Sequence, residues 1–480
     1  MYVKRFEQPE MANLPLFLNG TLNPENRWIK LAALIPWGDI DKIYAKNFAS
    51  KLGPNALPSR IAFGALIIQT KLGLTDEETV EQLAENPYLQ YFIGLSEFKL
   101  EKLFDSSMMT HFRKRFNSPE VIKINDLLHK LETKKKKQES IGKDDDNDNF
   151  PTQNKGKLIV DATCAPADIA HPTELGLLNK ARLKTEKMID ILWSFYSEKG
   201  IKNKPRSYRR KGRQAFSAII KQKRPGKKKI RAAIRIQLSC VNRNLRSIDR
   251  LLNHVSVVKM GSKLHHELLV INTLYQQQQQ MFDQCKHSIE DRIVSISQPH
   301  IRPIVRGKAK AATEFGAKVS ISLIDGWSFV DTIDFDAYNE GVELKSQIEK
   351  YRQRFGHYPE SIHADKIYRN RGNRKFCKEH NIRLSGPKLG RNTADTEKLK
   401  AEKKQIRDDE GIRSAVEGRF GVGKRRYSLD RIMVKLENTS ATVIALIFLV
   451  MNLDQLVFLR FIFGWLFYMV SQKNLQRSVA

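Results

Sequence analysis

The chain has 480 residues, enough for roughly two to four domains, each able to bury its own core without help from disulfides. Its four cysteines, Cys164, Cys240, Cys285 and Cys377, lie far apart and form no C-x-x-C pair, so neither a zinc ribbon nor a disulfide framework is indicated and a reducing cytoplasm fits best. With 83 Lys and Arg against 53 Asp and Glu, the net charge of +30 must meet a polyanion or anionic lipid, with nucleic acid the leading candidate.

The opening residues, MYVKRFEQPEM, lack the apolar core of a secretory signal, so export is not expected. From Pro58 to Leu95 the apolar positions follow a helical period that breaks at Gly73-Leu74 and restarts at Thr75. Thr75 with Glu78 reads as a capping box, in which hydroxyl and carboxylate satisfy orphan amides at a helix start. Short helices meeting at a glycine turn fit a helix-turn-helix, and equally a bundle that only packs. A further helical stretch carries His111-Phe112-Arg113-Lys114-Arg115-Phe116. At Thr133 the composition changes abruptly, with basic Lys134 to Lys137 followed by acidic, asparagine-containing Asp144 to Asp148 and little that is apolar. Residues 133–156 are read as a charged linker behind an all-α N-terminal, DNA-binding domain at 1–132.

Beyond it, Lys157-Leu158-Ile159-Val160-Asp161 is a short buried strand ending in a carboxylate. Ala317 to Ile324 alternates as a strand, Asp325-Gly326 is a hairpin turn, and Trp327 to Phe335 returns. A helix over Tyr338–Phe355, a strand over Ser361–Asp365 and another over Ile382–Ser385 follow, the last closed by Gly386-Pro387. This order is that of a ribonuclease-H-like α/β domain at 157–455, a mixed sheet flanked by helices, with a basic, mainly helical insertion at about 172–312 after the first strand. Within the insertion, Lys199 to Ile248 holds eighteen Lys or Arg and no Asp or Glu, including Arg209, Arg210, Lys211, Lys227, Lys228 and Lys229, a pattern expected of a phosphate-contacting surface. Ala441 to Val470 is strongly apolar, but Asp454 and Arg460 interrupt it. The uncharged runs fall short of the ~18 to 20 residues a bilayer requires, so a buried helix followed by an apolar tail at 456–480, rather than a membrane span, is expected.

Asp161 and Asp365 each stand where a strand ends, so both can emerge at one rim of an open sheet. Two such acids suit hard, oxygen-seeking cations. Arg413, Glu417 and Lys424 are four and seven residues apart and share one helix face, adding a third acid with two cations beside it for phosphates. His363 falls on the face of Asp365 by period two alone and is left out of the site. Gly418-x4-Gly423-Lys424 imitates a P-loop, but Arg425 stands where Ser or Thr must hold magnesium, so no nucleotide is expected.

Asp161 in IVDAT, Asp365 in HADKIYR and the R-x3-E-x6-K spacing of Arg413, Glu417 and Lys424 resemble the DDE triad and Y-R-E-K motif of bacterial insertion-sequence transposases. The family's tyrosine falls on Glu410 here. Phe104 to Arg115, His171 to Leu175 and Asn339-Glu340-Gly341 are also similar, so the resemblance covers residues 1–455. It implies cleavage of the inverted ends of a transposable element and transfer of the freed 3′-hydroxyls into target DNA. Asp161, Asp365 and Glu417 would hold two Mg2+, with Mn2+ able to replace them. Two ends processed together imply a homodimer on double-stranded DNA, working in the cytoplasm at the nucleoid. The alternative is a catalytically inactive, transposase-derived DNA-binding repressor.

Overall fold

The computed structural model describes residues 21–48, 55–140, 154–197, 203–305, 313–387 and 396–478. The acidic run Asp144 to Asp148 lies outside them, and the side chains of the tail are described only as far as Leu459. In chain order, helices α1 (Arg27–Leu34), α2 (Trp37–Ala45), α3 (Ser59–Leu72), α4 (Asp76–Glu85), α5 (Pro87–Phe92), α6 (Met108–Arg115) and α7 (Ser118–Ser140) lead to strand β1 (Lys157–Pro166). Helices α8 (Glu174–Ser197), α9 (Arg209–Ile220), α10 (Lys227–Leu252) and α11 (Ser262–Gln284) follow. Then come β2 (Arg302–Val305), β3 (Thr313–Ile324), β4 (Trp327–Asp334), α12 (Glu340–Phe355), β5 (Ser361–His363), α13 (Arg371–Glu379), β6 (Arg383–Leu384), α14 (Thr396–Arg426) and α15 (Glu437–Ser478). The chain divides into two compact units, one of residues 1–166, 318–334 and 338–480, the other of residues 167–317 and 335–337.

In the first unit, the expected break between α3 and α4 is built as the sequence dictates. Gly73 takes φ +69° and its N–H bonds Gln69 O at 2.8 Å, closing α3 in a left-handed turn that glycine adopts freely. The Thr75 hydroxyl then accepts from Glu78 N (3.2 Å) while the Glu78 carboxylate accepts from Thr75 N (2.8 Å), the capping box in full. Buried Arg113 of α6 donates to both carboxylate oxygens of Asp76 at 2.8 and 2.6 Å, tying α6 to the start of α4. Helix α7 runs on to Ser140, so the basic stretch read as linker begins as helix; Lys, Glu and Gln are good helix formers and carry the winding forward.

The sheet of this unit is mixed. β3 and β4 form an antiparallel hairpin whose turn residues Asp325 and Gly326 both have positive φ, as a tight Asp-Gly turn requires. β3 neighbours β1, and beyond β1 lie β5 and β6, each parallel to the strand before it. Helix α15 packs against α3, α7 and β4, and its residues Ile444 to Leu453 are buried. Its first part, Glu437–Leu459, is long and apolar enough to cross a membrane, but about 67% of that apolar window is buried within the fold, which accounts for its hydrophobicity.

In the second unit α10 is amphipathic. Ile234, Leu238, Val241, Leu245 and Ile248 recur at helical spacing and are buried, joining Leu192, Met188 and Ile271 in the cores this unit builds from α8 and α11. Arg182, 2% exposed, is satisfied by Glu186 (2.6 Å), Asn179 (2.8 Å) and Gln237 (3.1 Å), so a buried cation is fully paired. β2 pairs antiparallel with the first residues of β3, Arg302 opposite Gly316 through Val305 opposite Thr313.

Candidate active site

β1 buries Leu158, Ile159 and Val160, a β-branched run that fits a covered parallel strand, and Asp161 follows at partial exposure. The β1–β5 register pairs Lys157 with Ser361, Leu158 with Ile362 and Ile159 with His363, a constant offset that brings Asp161 level with Asp365 two residues further on. β5 has ended by then. Asp365 caps a short 3-10 turn, Lys366–Tyr368, its carboxylate accepting from Lys366 N at 2.7 Å, and it is exposed. Strand and turn therefore set two acids side by side at one end of the ladder.

The charges around Asp161 show what else reaches it. Burial, foremost, pushes its pKa up to about 6; a bond from Ala162 N lowers it, Glu340 raises it, Arg413 lowers it and Asp365 raises it again. Asp365 and Arg413 thus act on Asp161, as the sequence led one to expect, and Glu340 is an addition. It starts α12, is 18% exposed, and pairs with Lys318 of β3 at 2.9 Å. The signal for it was the Asn339-Glu340-Gly341 triplet. Gly341 is required because a Cβ there would meet Ile367 O at 2.5 Å, so α12 comes backbone-close to the turn after Asp365. Asn370 and Asn373 hold that approach, both donating to Gly341 O, at 3.0 and 2.6 Å. Gly341→Ala should therefore displace the Asp365 turn, at a cost of about 1 to 3 kcal/mol in stability, and lose activity beyond that; a variant with parental melting and activity refutes the tight approach.

Helix α14 carries the remaining predicted residues. Arg413 and Glu417 are joined at 3.0 Å, with Glu417 56% exposed and Arg413 29%. Lys424, one further turn and more along the same face, is partly buried; Gly421 and Gly423 do not end the helix, and a Cβ on Gly423 would meet Leu429 and Met451 at 3.1 and 3.3 Å, so glycine permits close packing on α15. A cavity of about 320 Å³ opens between Asp365, Lys366 and Arg369, the Ser385–Pro387 turn, and Asp409, Glu410 and Arg413 of α14. Glu410, where the family's tyrosine was sought, is on its wall.

His363 has a structural place. It is fully buried, its Nε2 3.1 Å from Ser361 Oγ and its Nδ1 3.4 Å from Asp409, while Arg383 of β6 grips Asp409 through two bonds of 2.8 and 2.9 Å. This network fastens α14 to β5 and β6. The paired Arg383 holds the Asp409 carboxyl below its usual range despite burial.

Asp161 and Asp365 fit divalent cations by donor chemistry, being hard oxygen ligands, and at Asp161 burial and neighbouring acids disfavour a lone negative charge. Glu417 is engaged with Arg413 instead, and among the described residues no three His, Cys, Asp or Glu side chains are grouped to hold a metal. In the second unit Arg210, Lys211, Lys227, Lys228 and Lys229 are exposed, whereas Arg209 is bound to Asp190 at 2.5 Å and to Glu186 O at 3.1 Å.

Two family models match the chain: one described as a transposase DDE domain over residues 362–454, and one described as a transposase domain (DUF772) over residues 17–115. A Rhizobium meliloti protein, described as uncharacterized protein ORF8 in nfe locus, is 32% identical over 183 residues, 37% of this chain and 81% of that protein. The chain belongs to the DDE family of insertion-sequence transposases. No solved structure matches it. In the transposase, the DDE match takes in Asp365, Arg413, Glu417 and Lys424, and the other match takes in helices α1 to α6. DDE transposases act on DNA and use divalent metals.

Proposed function

We propose that this transposase cleaves the inverted ends of its own element and joins the freed 3′-hydroxyls to target DNA, with Asp161, Asp365 and Glu417 as its acidic triad. The observation that carries this reading is the placement of Asp161 on β1 level with Asp365 in the turn that follows its parallel neighbour β5, with the charge of Arg413 reaching Asp161 from α14. The order of strands, with a β3–β4 hairpin on one side of β1 and β5 and β6 on the other, supports a ribonuclease-H-like catalytic domain at 157–455 interrupted by the basic insertion.

Asp161 and Asp365 would hold the divalent ions, two Mg2+ or Mn2+ in their place, and Glu417, now bonded to Arg413, would complete the acidic set by giving up that bond. Divalent ions held there would supply positive charge to activate the attacking oxygen and stabilise the leaving one. Arg413, released by that exchange, and Lys424 orient the scissile phosphate and offset the charge growing on it. Exposed Arg210, Lys211 and Lys227 to Lys229 add distributed phosphate contacts, so affinity for DNA is separate from cleavage. Helices α1 to α6 and α7 as far as residue 132 belong to an N-terminal DNA-binding domain, and two copies act together on paired ends at the nucleoid.

A nicking assay on the element's own ends with Mg2+, comparing the parent with Asp365→Ala, tests the reading. Nicking and joining by the parent but not by the variant supports it. DNA binding by the parent with no metal-dependent nicking returns the protein to the repressor class.

A further inference from the structure

The second unit contains a polar groove of about 640 Å³ that the catalytic reading does not use. One wall is the solvent side of α10, where Asn242, Arg243, Arg246 and Arg250 line up; the other is the segment leading into α9, with Arg206 and Tyr208. Among the described residues no acid lines it. Among the described residues no carboxylate lies within ion-pair distance of these four arginines, in contrast to Lys204 and Arg209 nearby, which are both bound to Asp190. From Arg243 to Arg250 the helix rises ~10 Å, the axial length of about three phosphates of one strand.

Tyr208 distinguishes the groove from a plain basic face. It adopts φ +52°, a left-handed conformation that an L side chain rarely takes and that glycine would take freely. Its ring is 48% exposed, and the guanidinium of Arg243 sits over it, 4.2 Å from the ring centre. A half-exposed aromatic ring held against an arginine, between unpaired arginines, suits a sugar-phosphate strand: the cations take phosphate oxygens and the ring packs against a sugar or base.

We propose that this groove binds a stretch of DNA backbone through Arg206, Arg243, Arg246 and Arg250, with Tyr208 as its aromatic contact. The inference rests on the reading of the protein as a DNA-acting transposase and assigns a site remote in sequence from the triad. The test uses the full chain and a labelled ~30-bp duplex in metal-free buffer across a salt series, a length chosen to exceed the groove's reach. Arg246→Ala/Arg250→Ala should weaken binding at least tenfold and reduce the slope of log affinity against log salt by about 1.8, two phosphate contacts' worth. Tyr208→Gly, which suits the backbone and removes no charge, should weaken binding about threefold to tenfold with the slope unchanged. Lys134→Ala/Lys135→Ala, removing two exposed charges elsewhere, should change affinity less than twofold.

Groove variants that bind like the parent, or a Tyr208→Gly variant that does so while both charge-removing pairs weaken binding equally, overturn the groove and leave only diffuse attraction. A parent that fails to bind duplex at all overturns the transposase reading instead.

Discussion

Asp161→Asn should abolish nicking, by a thousandfold or more, while the metal-free protein becomes more stable at neutral pH. Both effects have one cause. Losing a carboxylate that anchors a catalytic cation removes several kcal/mol of transition-state stabilisation, and a thousandfold is about 4 kcal/mol. The same carboxylate is held at about 6 by burial, with Glu340 and Asp365 adding to the pressure. Since its folded pKa is raised, the folded chain binds more protons than the unfolded chain between about pH 4 and 6, and stability is lost as pH rises through that window, by up to roughly 3 kcal/mol. Denaturant midpoints of metal-free parent protein should accordingly fall from pH 4.5 to pH 7, and those of Asp161→Asn should fall less. Added Mg2+ should recover the loss in the parent and not in the variant. At limiting Mg2+, nicking should rise about tenfold per pH unit below pH 6 and level off above it, because proton and cation compete for one carboxylate. An Asp161→Asn variant that still nicks, or a pH profile flat between 5 and 7, removes Asp161 from the site.

Asn452→Ala should be the most damaging single change outside the acids. Asn452 of α15 is fully buried and serves four groups: it donates to Asn125 Oδ1 (2.8 Å) and Ser328 O (2.8 Å), and accepts from Ser328 N (3.0 Å) and Arg419 (2.6 Å). Truncation leaves buried Ser328 N and Asn125 Oδ1 without their partner and takes one of two bonds from the Arg419 guanidinium, which burial has already pushed down to about 10 and which keeps only Ser328 Oγ at 2.8 Å. Such losses cost about 1 to 3 kcal/mol per orphaned group, so about 3 to 5 kcal/mol in total, or a thermal midpoint lowered on the order of 10 °C. Arg419 stands two residues after Glu417 on α14, so nicking measured well below the new midpoint should fall as well. A shift under about 2 °C with full activity shows that water or neighbouring side chains replace the amide.

Much of this protein was legible in its residues because the signals are local. The Thr75–Glu78 capping box, the break at Gly73 and the Asp325-Gly326 hairpin depend on a few neighbouring side chains and backbone angles and stand where they were read, whereas the strand read as ending at Asp161 runs on to Pro166 and the one read as reaching Asp365 stops at His363. The charge excess named a polyanion, and the spacing of Arg413, Glu417 and Lys424 placed them on one helix. One local reading stopped short: α7 continues through a stretch read as linker, because lysine-rich sequence winds readily. Tertiary structure alone decided which charges meet. Glu340 reaches Asp161 only because Gly341 lets α12 touch the turn after Asp365; Arg209 is spent on Asp190 while Arg246 and Arg250 line a groove; His363 turns inward to Asp409. Such pairings are set by the approach of segments far apart in the chain. An ionisable side chain carries no mark of which distant neighbour the packed core will bring beside it.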